Sequence, residues 1–300
     1  GLRVVAADAS KMQLFLSDAT RRKVRDVVAF ALYLPGLEMT LAASLYSNET
    51  GERQMLFEHL EKLAADDLLV LDRGYPARWL IAHLTQCGRH FCMRVDASGF
   101  TVVKTFLRSG AAEKIVTVAA ADADDCADYD CARTPTTVRL VRVVNPNGNI
   151  HVLMTSLLDV MDYPASAFGA LYHSRWRIEE AFKRLKHRLA WENTSGLSWL
   201  AAQQDFAAKV VADNLHALTV LEALDSASIP DGYKVNRTYA FAHLKRCLPR
   251  WLLMAMPSAE QFAAVVAELA RNLIRFVPNA TKPRPPHVKP HRKHAYKSTC

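Results

Sequence analysis

The sequence predicts an α/β fold, in which the strands of a central sheet alternate with helices. Over residues 1–97, short apolar runs that end at turn residues are typical of buried strands, and segments between them have apolar residues at helical spacing. Residues 98–160 are rich in strand-like runs, and the pattern from residue 161 onward is mainly helical. With 300 residues, 50% of them hydrophobic, the chain can bury the core of one large domain or two smaller ones.

Three strands are predicted at the amino end. The apolar run over residues 2–7 stops at Asp8, so we expect Asp8 at the carboxyl end of the first strand. Residues 27–34 and 39–47 are apolar runs separated by Pro35-Gly36, a strong turn signal. They predict a hairpin.

Helices and strands alternate after the hairpin. Helices are predicted over residues 52–65 and 77–86, and strands over residues 68–71 and 90–95. Further strands are predicted over residues 101–106, 114–118, 137–144 and 150–156. Closing helices are predicted over residues 201–224, 235–248 and 259–276. Asp72 directly follows the strand 68–71 and should also lie at the carboxyl end of a strand.

The segment from residue 171 to 189 predicts a helix with two neighbouring stripes. One is apolar and can bury against a core. The other is polar and lies within an arc of roughly 60°; its members are Tyr172, Arg175, Glu179 and Lys186. Trp176 and Lys183 flank the polar stripe. A carboxylate among cations and aromatic rings suits a metal ion together with a phosphate backbone, whereas the plainer interpretation is a surface helix with ordinary side-chain pairs.

The order of the polar residues resembles a known signature. The insertion-sequence-four family of DDE transposases has a YREK motif, in which two residues separate Tyr from Arg, three separate Arg from Glu, and six separate Glu from Lys. This chain has all four residues at these spacings. The family's second acid occupies a D-x-G-Tyr/Phe motif that is similar to the segment from Asp72 to Tyr75. The likeness extends over roughly residues 2–215. It implies that Glu179 is the last acid of a catalytic triad and Asp72 the second.

Asp8 is the candidate for the first acid of that triad. Asp18 and Asp26 compete with it, but both lie in a polar stretch and are expected to be solvated loop charges. The two-metal route of phosphodiester cleavage needs a pair of divalent ions about 4 Å apart, held by hard oxygen ligands. The resemblance implies two Mg²⁺ ions, or Mn²⁺ in their place, with Asp8 bridging both while Asp72 and Glu179 each complete one.

The resemblance also implies the partner and the remaining roles. Double-stranded DNA is expected as the substrate, with Tyr172, Arg175 and Lys186 in contact with it. Trp176 and Lys183 are expected to contact DNA because they flank the polar stripe. A homodimer is expected when the protein assembles on DNA. The element order of three strands, helix, strand, helix, strand resembles the ribonuclease H-like fold. We therefore expect such a core in two parts, residues 1–97 and 161–278, with a β-rich insertion over residues 98–160 and closing helices in the second part.

The net charge of +8 is concentrated near the carboxyl end. Residues 281–300 contain six lysines and arginines and no acid, so only +2 remains for the rest of the chain. With its four prolines, the segment 279–300 is expected to be a disordered basic tail that binds phosphates. The sequence shows neither a signal-like start nor a run of eighteen apolar residues, so a cytoplasmic, nucleoid-associated protein is expected, with no membrane contact.

Three functions remain open from the sequence. The first is a metal-dependent transposase region that cuts DNA at element ends and joins the 3′-hydroxyl to target DNA. The second is a ribonuclease H-like nuclease that cleaves DNA without joining it. The third is a noncatalytic DNA-binding remnant of a truncated transposase. Relatives carry a DNA-binding segment before the first acid, whereas this chain starts with Gly1 and a strand, so the expectation is that an upstream segment has been lost.

Overall fold

The computed structural model describes residues 1–17, 22–145, 148–253 and 257–277. The chain divides into two compact units: residues 1–13 and 24–188 form the first, and residues 14–23 and 189–300 belong to the second. The expected basic tail, residues 279–300, lies outside the described residues, and so does the competing acid Asp18.

Eight strands among the described residues form one mixed sheet. Their bounds are β1 (Arg3–Ser17), β2 (Arg22–Leu34), β3 (Met39–Ser47), β4 (Asp67–Leu71), β5 (His90–Val95), β6 (Glu113–Val118), β7 (Thr136–Val144) and β8 (Ile150–Thr155). The spatial order is β3-β2-β1-β4-β5-β8-β7-β6. Strand β4 runs parallel to both β1 and β5, whereas β8 is antiparallel to β5 and β7, and β7 to β6.

The order of elements confirms the predicted α/β, ribonuclease H-like class. The hairpin β2–β3 is antiparallel, as the Pro35-Gly36 turn predicts, and the parallel strands β4 and β5 follow after helical segments. Strands β6, β7 and β8, which come from the segment 98–160, extend this same sheet through the pairing of β8 with β5. The segment boundaries drawn from the sequence stay a prediction.

The helices of the first unit connect and cover these strands. They are α1 (Glu52–Phe57), α2 (Arg78–Gln86), α3 (Thr101–Ser109), α4 (Ala123–Asp128), α5 (Phe168–Ser174) and α6 (Trp176–His187). Short 3₁₀ turns occur at Leu60–Lys62 and Ala165–Ala167. The predicted helix over 52–65 is therefore shorter than expected. It ends near His59, whose buried ring contacts the carbonyl oxygen of Met55 and turns toward Ser44 on β3.

The strand predicted over residues 101–106 is wrong, because this segment is helix α3. Its two buried residues, Val103 and Phe106, are three positions apart, which is a helical spacing. The helix ends at Gly110, whose φ of 70° is the left-handed conformation that glycine adopts readily. The β-branched residues at the start of the segment suggested a strand, but burial on one side of the sheet decided for a helix.

The two faces of β4 pack against different parts of the first unit. Side chains alternate along a strand, and Leu68 and Val70 point to the face that buries Phe168 and Tyr172 of α5. The intervening residues belong to the large core on the opposite face. Helix α5 is thus anchored directly over the strand that leads into Asp72.

The second unit is mainly helical. Its described elements are α7 (Trp199–Asp225), β9 (Tyr233–Val235), α8 (Arg237–Leu253), α9 (Ala259–Arg271) and β10 (Leu273–Arg275), with β9 and β10 paired antiparallel. Helix α9 starts with a capping box formed by Ser258 and Gln261. The three predicted closing helices are present, but the last ends at Arg271 because β10 follows it. Within the described ranges, no helix is both long and apolar enough to cross a bilayer.

Candidate active site

Asp8 lies on β1, and Asp72 directly follows the adjacent parallel strand β4. The pairing of β1 with β4 aligns Ala6 with Val70, and the same register continued by two residues places Asp8 beside Asp72. Neighbouring strands are separated by about 4.8 Å. The register therefore brings the two acids together at the end of the paired segment.

The prediction that the first strand stops at Asp8 is wrong. Strand β1 continues to Ser17, with Met12, Leu14 and Leu16 buried along it. It is the partner strand that ends early, since β4 stops at Leu71. Asp8 thus lies at the end of the β1–β4 ladder and in the interior of its own strand. The competitor Asp26 also lies in a strand, β2, where its exposed carboxylate accepts a hydrogen bond from a glutamine.

The helix that carries the polar stripe is interrupted at Arg175. Helices α5 and α6 meet there, although Arg175 itself keeps helical dihedral angles of −53° and −35°. The backbone N–H of Arg175 bonds to Tyr172 and the N–H of Ile178 bonds to Arg175, which are three-residue steps that tighten the turn. The interruption is slight, and the polar stripe stays on the side that faces β1 and β4.

The guanidinium of Arg175 lies between the three candidate acids. Its Nη1 atom is 3.4 Å from Asp8 Oδ2. Its Nη2 atom is 3.5 Å from Asp72 Oδ2 and 3.1 Å from Glu179 Oε1. Only 3% of the Arg175 side chain is exposed, and its Nε atom has no hydrogen-bond partner among the described residues. Three acids from separate elements thus converge on one buried cation.

Tyr172 holds the carboxylate of Asp72 in place. Its hydroxyl donates a hydrogen bond of 2.8 Å to Asp72 Oδ1, and the backbone N–H of Arg73 donates another of 2.7 Å. Burial by itself raises the pKa of Asp72, but these two donors and the charge of Arg175 outweigh it, so that this pKa is lowered. Burial, followed by the Asp72 charge, raises the pKa of Tyr172. Asp72 is therefore ionised and Tyr172 neutral at pH 7.

Asp8 is in the opposite electrostatic situation. Burial raises its pKa from 3.8 to about 6, although Arg175 and the N–H of Ala9 act against the rise. The negative charges of Glu52 and Glu179 raise this pKa further. More negative charge is therefore gathered at this end of the ladder than Arg175 neutralises.

The other residues expected to contact DNA lie on α6, outside this cluster. Trp176 is 53% exposed. Lys183 is also exposed, and its Nζ atom is 2.6 Å from Glu180 Oε1. The Nζ atom of Lys186 donates a hydrogen bond of 2.7 Å to the carbonyl oxygen of Lys11 on β1. The structure thus leaves Trp176 and Lys183 on the surface and ties Lys186 to the first strand.

Several residues near the three acids were not identified from the sequence. Glu52 gave no sequence signal, since an acid in the first turn of a helix is ordinary. Arg94 on β5 and His151 on β8 line a cavity of about 460 Å³ together with Asp72 and Glu179. Burial, followed by the charge of Arg94, lowers the pKa of His151. Only the sheet order β4-β5-β8 brings these residues together.

The donor atoms of the site fit hard divalent cations in kind. Carboxylate oxygens are the ligands that Mg²⁺ and Mn²⁺ prefer, and three of them already surround one positive group. In the present arrangement, the described residues include no group of three acids, histidines or cysteines placed around a common point for an ion. Arg175 lies between the carboxylates, so cation binding requires its guanidinium to move aside.

The fold and the converging acids are those expected of the DDE class. Residues 1–215 match the family model described as the transposase DDE domain, and the chain belongs to this family.

The chain is similar to two transposases. The transposase InsG for insertion sequence element IS4 of Escherichia coli (strain K12) is 22% identical over 148 residues, which cover 49% of this chain and 33% of that protein. The chain thus spans about a third of the length of this curated relative. With the family match, this likeness confirms the resemblance to the insertion-sequence-four family. A cryo-EM structure of the piggyBac transposase synaptic complex with hairpin DNA aligns with a TM-score of 0.49 at 10% identity, over 93% of this chain and 59% of that one.

Proposed function

We propose that this chain is the catalytic region of a DNA transposase that cleaves DNA at element ends and transfers the 3′-hydroxyl to target DNA. The observation that carries the proposal is the convergence of Asp8, Asp72 and Glu179 on the guanidinium of Arg175. The membership of the DDE family, over residues 1–215, supports the same reaction class.

The three acids would hold two Mg²⁺ ions, or Mn²⁺ in their place. When bound, such a pair activates the attacking oxygen and stabilises the leaving oxygen of the phosphodiester. The chain's own contribution is to position the carboxylates: β1 and β4 present Asp8 and Asp72 side by side, and Tyr172 keeps Asp72 ionised and oriented. Arg175, displaced from the carboxylates, would then be available to a phosphate of the DNA.

Double-stranded DNA is the proposed partner. The exposed Trp176 offers an aromatic surface beside the cavity, and Lys183 and Lys186 on α6 place positive charge next to it. These cations contact phosphates without reading sequence. A homodimer on DNA and a nucleoid-associated location are part of the same proposal.

A strand-joining assay tests the proposed reaction. The chain is incubated with Mg²⁺, a supercoiled plasmid and a labelled duplex that carries a 3′-hydroxyl end from the DNA flanking its coding sequence. Labelled plasmid is the expected product. Glu179→Gln should reduce joining below detection but leave DNA binding and its salt dependence unchanged. Glu180→Gln is the matched control, because Glu180 is the next residue on α6 and its exposed carboxylate pairs with Lys183.

The alternatives give different results in the same assay. Metal-dependent nicking without labelled plasmid would favour a ribonuclease H-like nuclease. DNA binding without nicking or joining would favour a noncatalytic remnant. Joining that survives Asp72→Asn would contradict the site itself, since that variant removes the acid that both Tyr172 and Arg73 hold.

A further inference from the structure

Glu52 lies against the turn that follows Asp72. Its Oε2 atom is 3.5 Å from the position that a Cβ atom on Gly74 would occupy. The next residue, Arg53, fixes the start of α1 to this turn, because its Nε atom donates hydrogen bonds of 3.1 Å and 3.0 Å to the carbonyl oxygens of Gly74 and Tyr75. Glu52 is thus held at the same end of the sheet as the three acids.

The carboxylate of Glu52 lies near other negative charges. No described residue forms a hydrogen bond or an ion pair with it. Burial raises its pKa, the charge of Asp72 raises it further, and Lys11 opposes the rise from a distance. The charge of Glu52 acts in turn on Asp8, so a fourth carboxylate lies near the acids that surround the buried guanidinium of Arg175. Like charges in a partly buried site disfavour the ionised carboxylates, and a bound cation would stabilise them.

Tyr75 supplies a second, independent observation. It is 1% exposed, and its hydroxyl has no hydrogen-bond partner among the described residues. Burial is the main reason that its pKa is raised, and the charges of Glu52, Asp8 and Asp72 add to the rise. A buried hydroxyl without a partner is unfavourable, and most buried polar groups are bonded to protein or to an ordered water. The hydroxyl is therefore able to bond to a polar ligand near the acids whose charges act on it.

We propose that Glu52 is a fourth carboxylate of the cation site, with the Tyr75 hydroxyl as its neutral hydrogen-bonding neighbour. The proposal rests on the proposed function in taking the cluster around Asp8 and Asp72 as a cation site. It adds a ligand from α1, an element that carries none of the acids Asp8, Asp72 and Glu179. Four carboxylates also match the charge of two divalent ions more closely than three do.

Binding of Mn²⁺ to the complete chain, without DNA, tests this assignment. Free Mn²⁺ is measured by electron paramagnetic resonance during titration of the protein. Glu52→Gln is expected to weaken Mn²⁺ binding about 10-fold or more. Tyr75→Phe is expected to weaken it less, because the hydroxyl is a neighbour of the site and not a ligand. Glu61→Gln is the matched control, because this exposed acid pairs with Lys62, and it should bind as the unchanged protein does.

A second measurement locates the ion without relying on affinity. With Fe²⁺ in place of Mn²⁺, ascorbate and peroxide generate radicals that cut the backbone beside the bound metal. Cuts are expected at the start of α1 as well as near Asp8 and Asp72. Thermal unfolding without metal checks that Glu52→Gln is folded; removing a repelled charge should leave it at least as stable as the unchanged protein.

The outcomes separate this inference from the proposed function. Mn²⁺ binding that is lost in Asp72→Asn but unchanged in Glu52→Gln, with no cuts at α1, would overturn the role of Glu52 while the three-acid site stands. Mn²⁺ binding that depends on Glu52 in a chain that joins no DNA would support the four-acid site and reject the transposase reaction for this chain.

Discussion

Asp8→Asn is expected to stabilise the protein at pH 7, although it removes a proposed cation ligand. The side chain is only 20% exposed, and burial is the main cause that raises its pKa from 3.8 to about 6. The folded protein therefore holds this proton more tightly than the unfolded chain does. The resulting stability is complete below about pH 4 and is lost as the pH rises through about 6.

The size of the effect follows from the two pKa values. The folded and unfolded pKa values of Asp8 differ by about 2, so the ionised carboxylate destabilises the folded protein by about 3 kcal/mol above pH 7. Asparagine has no charge to bury, but the substitution also removes the contact of Asp8 with Arg175. We therefore expect a net gain of about 1–3 kcal/mol.

Thermal unfolding followed by circular dichroism in the presence of a chelator measures this gain between pH 4 and pH 8. Asp72→Asn is the comparison, because the pKa of Asp72 is lowered. Its ionised form stabilises the folded protein at neutral pH, and that stability is lost as the pH falls through the folded pKa. Asp72→Asn should thus lower the midpoint at pH 7, while Asp8→Asn raises it by several degrees. A lower midpoint for Asp8→Asn at pH 7, or an equal change at pH 4 and pH 7, would refute the reasoning.

Two further predictions concern the donors and ion pairs around β4. Tyr172→Phe removes a hydrogen bond to Asp72, so the pKa of Asp72 should rise and the lower pH limit of Mn²⁺ binding should move upward, as a titration from pH 4 to pH 7 would show; an unchanged limit would contradict this role. Arg3→Met removes two hydrogen bonds to the buried carboxylate of Asp67, which keeps the one from the N–H of Ala64, so chemical unfolding should show a loss of about 1–3 kcal/mol. Asp67→Asn, which removes the buried charge, should lose less, and a greater loss would contradict the account.

Local sequence was sufficient to predict the elements that depend only on neighbouring residues. The run into Asp72 ends in a turn that the structure contains, and the apolar stripe of α6 is buried at Ile178, Phe182 and Leu185. Both features depend on neighbouring residues and a single period, which is why pattern alone predicts them. The catalytic and DNA-contacting roles assigned to these residues stay predictions.

The sequence alone could not give the length of β1 or the conformation of α3. Asp8 appeared to end a strand because polar residues follow it, whereas its position depends on where the partner strand β4 stops. The segment of α3 contains β-branched residues that suit a strand, and packing of Val103 and Phe106 against the sheet decides for a helix. Short apolar runs are ambiguous between the two, because burial and not local preference decides them.

By itself, the sequence determined the α/β class, the order of the core elements and the identities of the three candidate acids. The class and the element order follow from periodicity and turn residues, and the candidate acids follow from strand ends and from motifs that resemble those of DDE transposases. Only the tertiary structure decided that Arg175 lies between the acids and that Glu52, Arg94 and His151 lie beside them. The reason is physical: these contacts join strands and helices that are far apart in the chain. They depend on the sheet order and on the β1–β4 register, which no single segment of the sequence specifies.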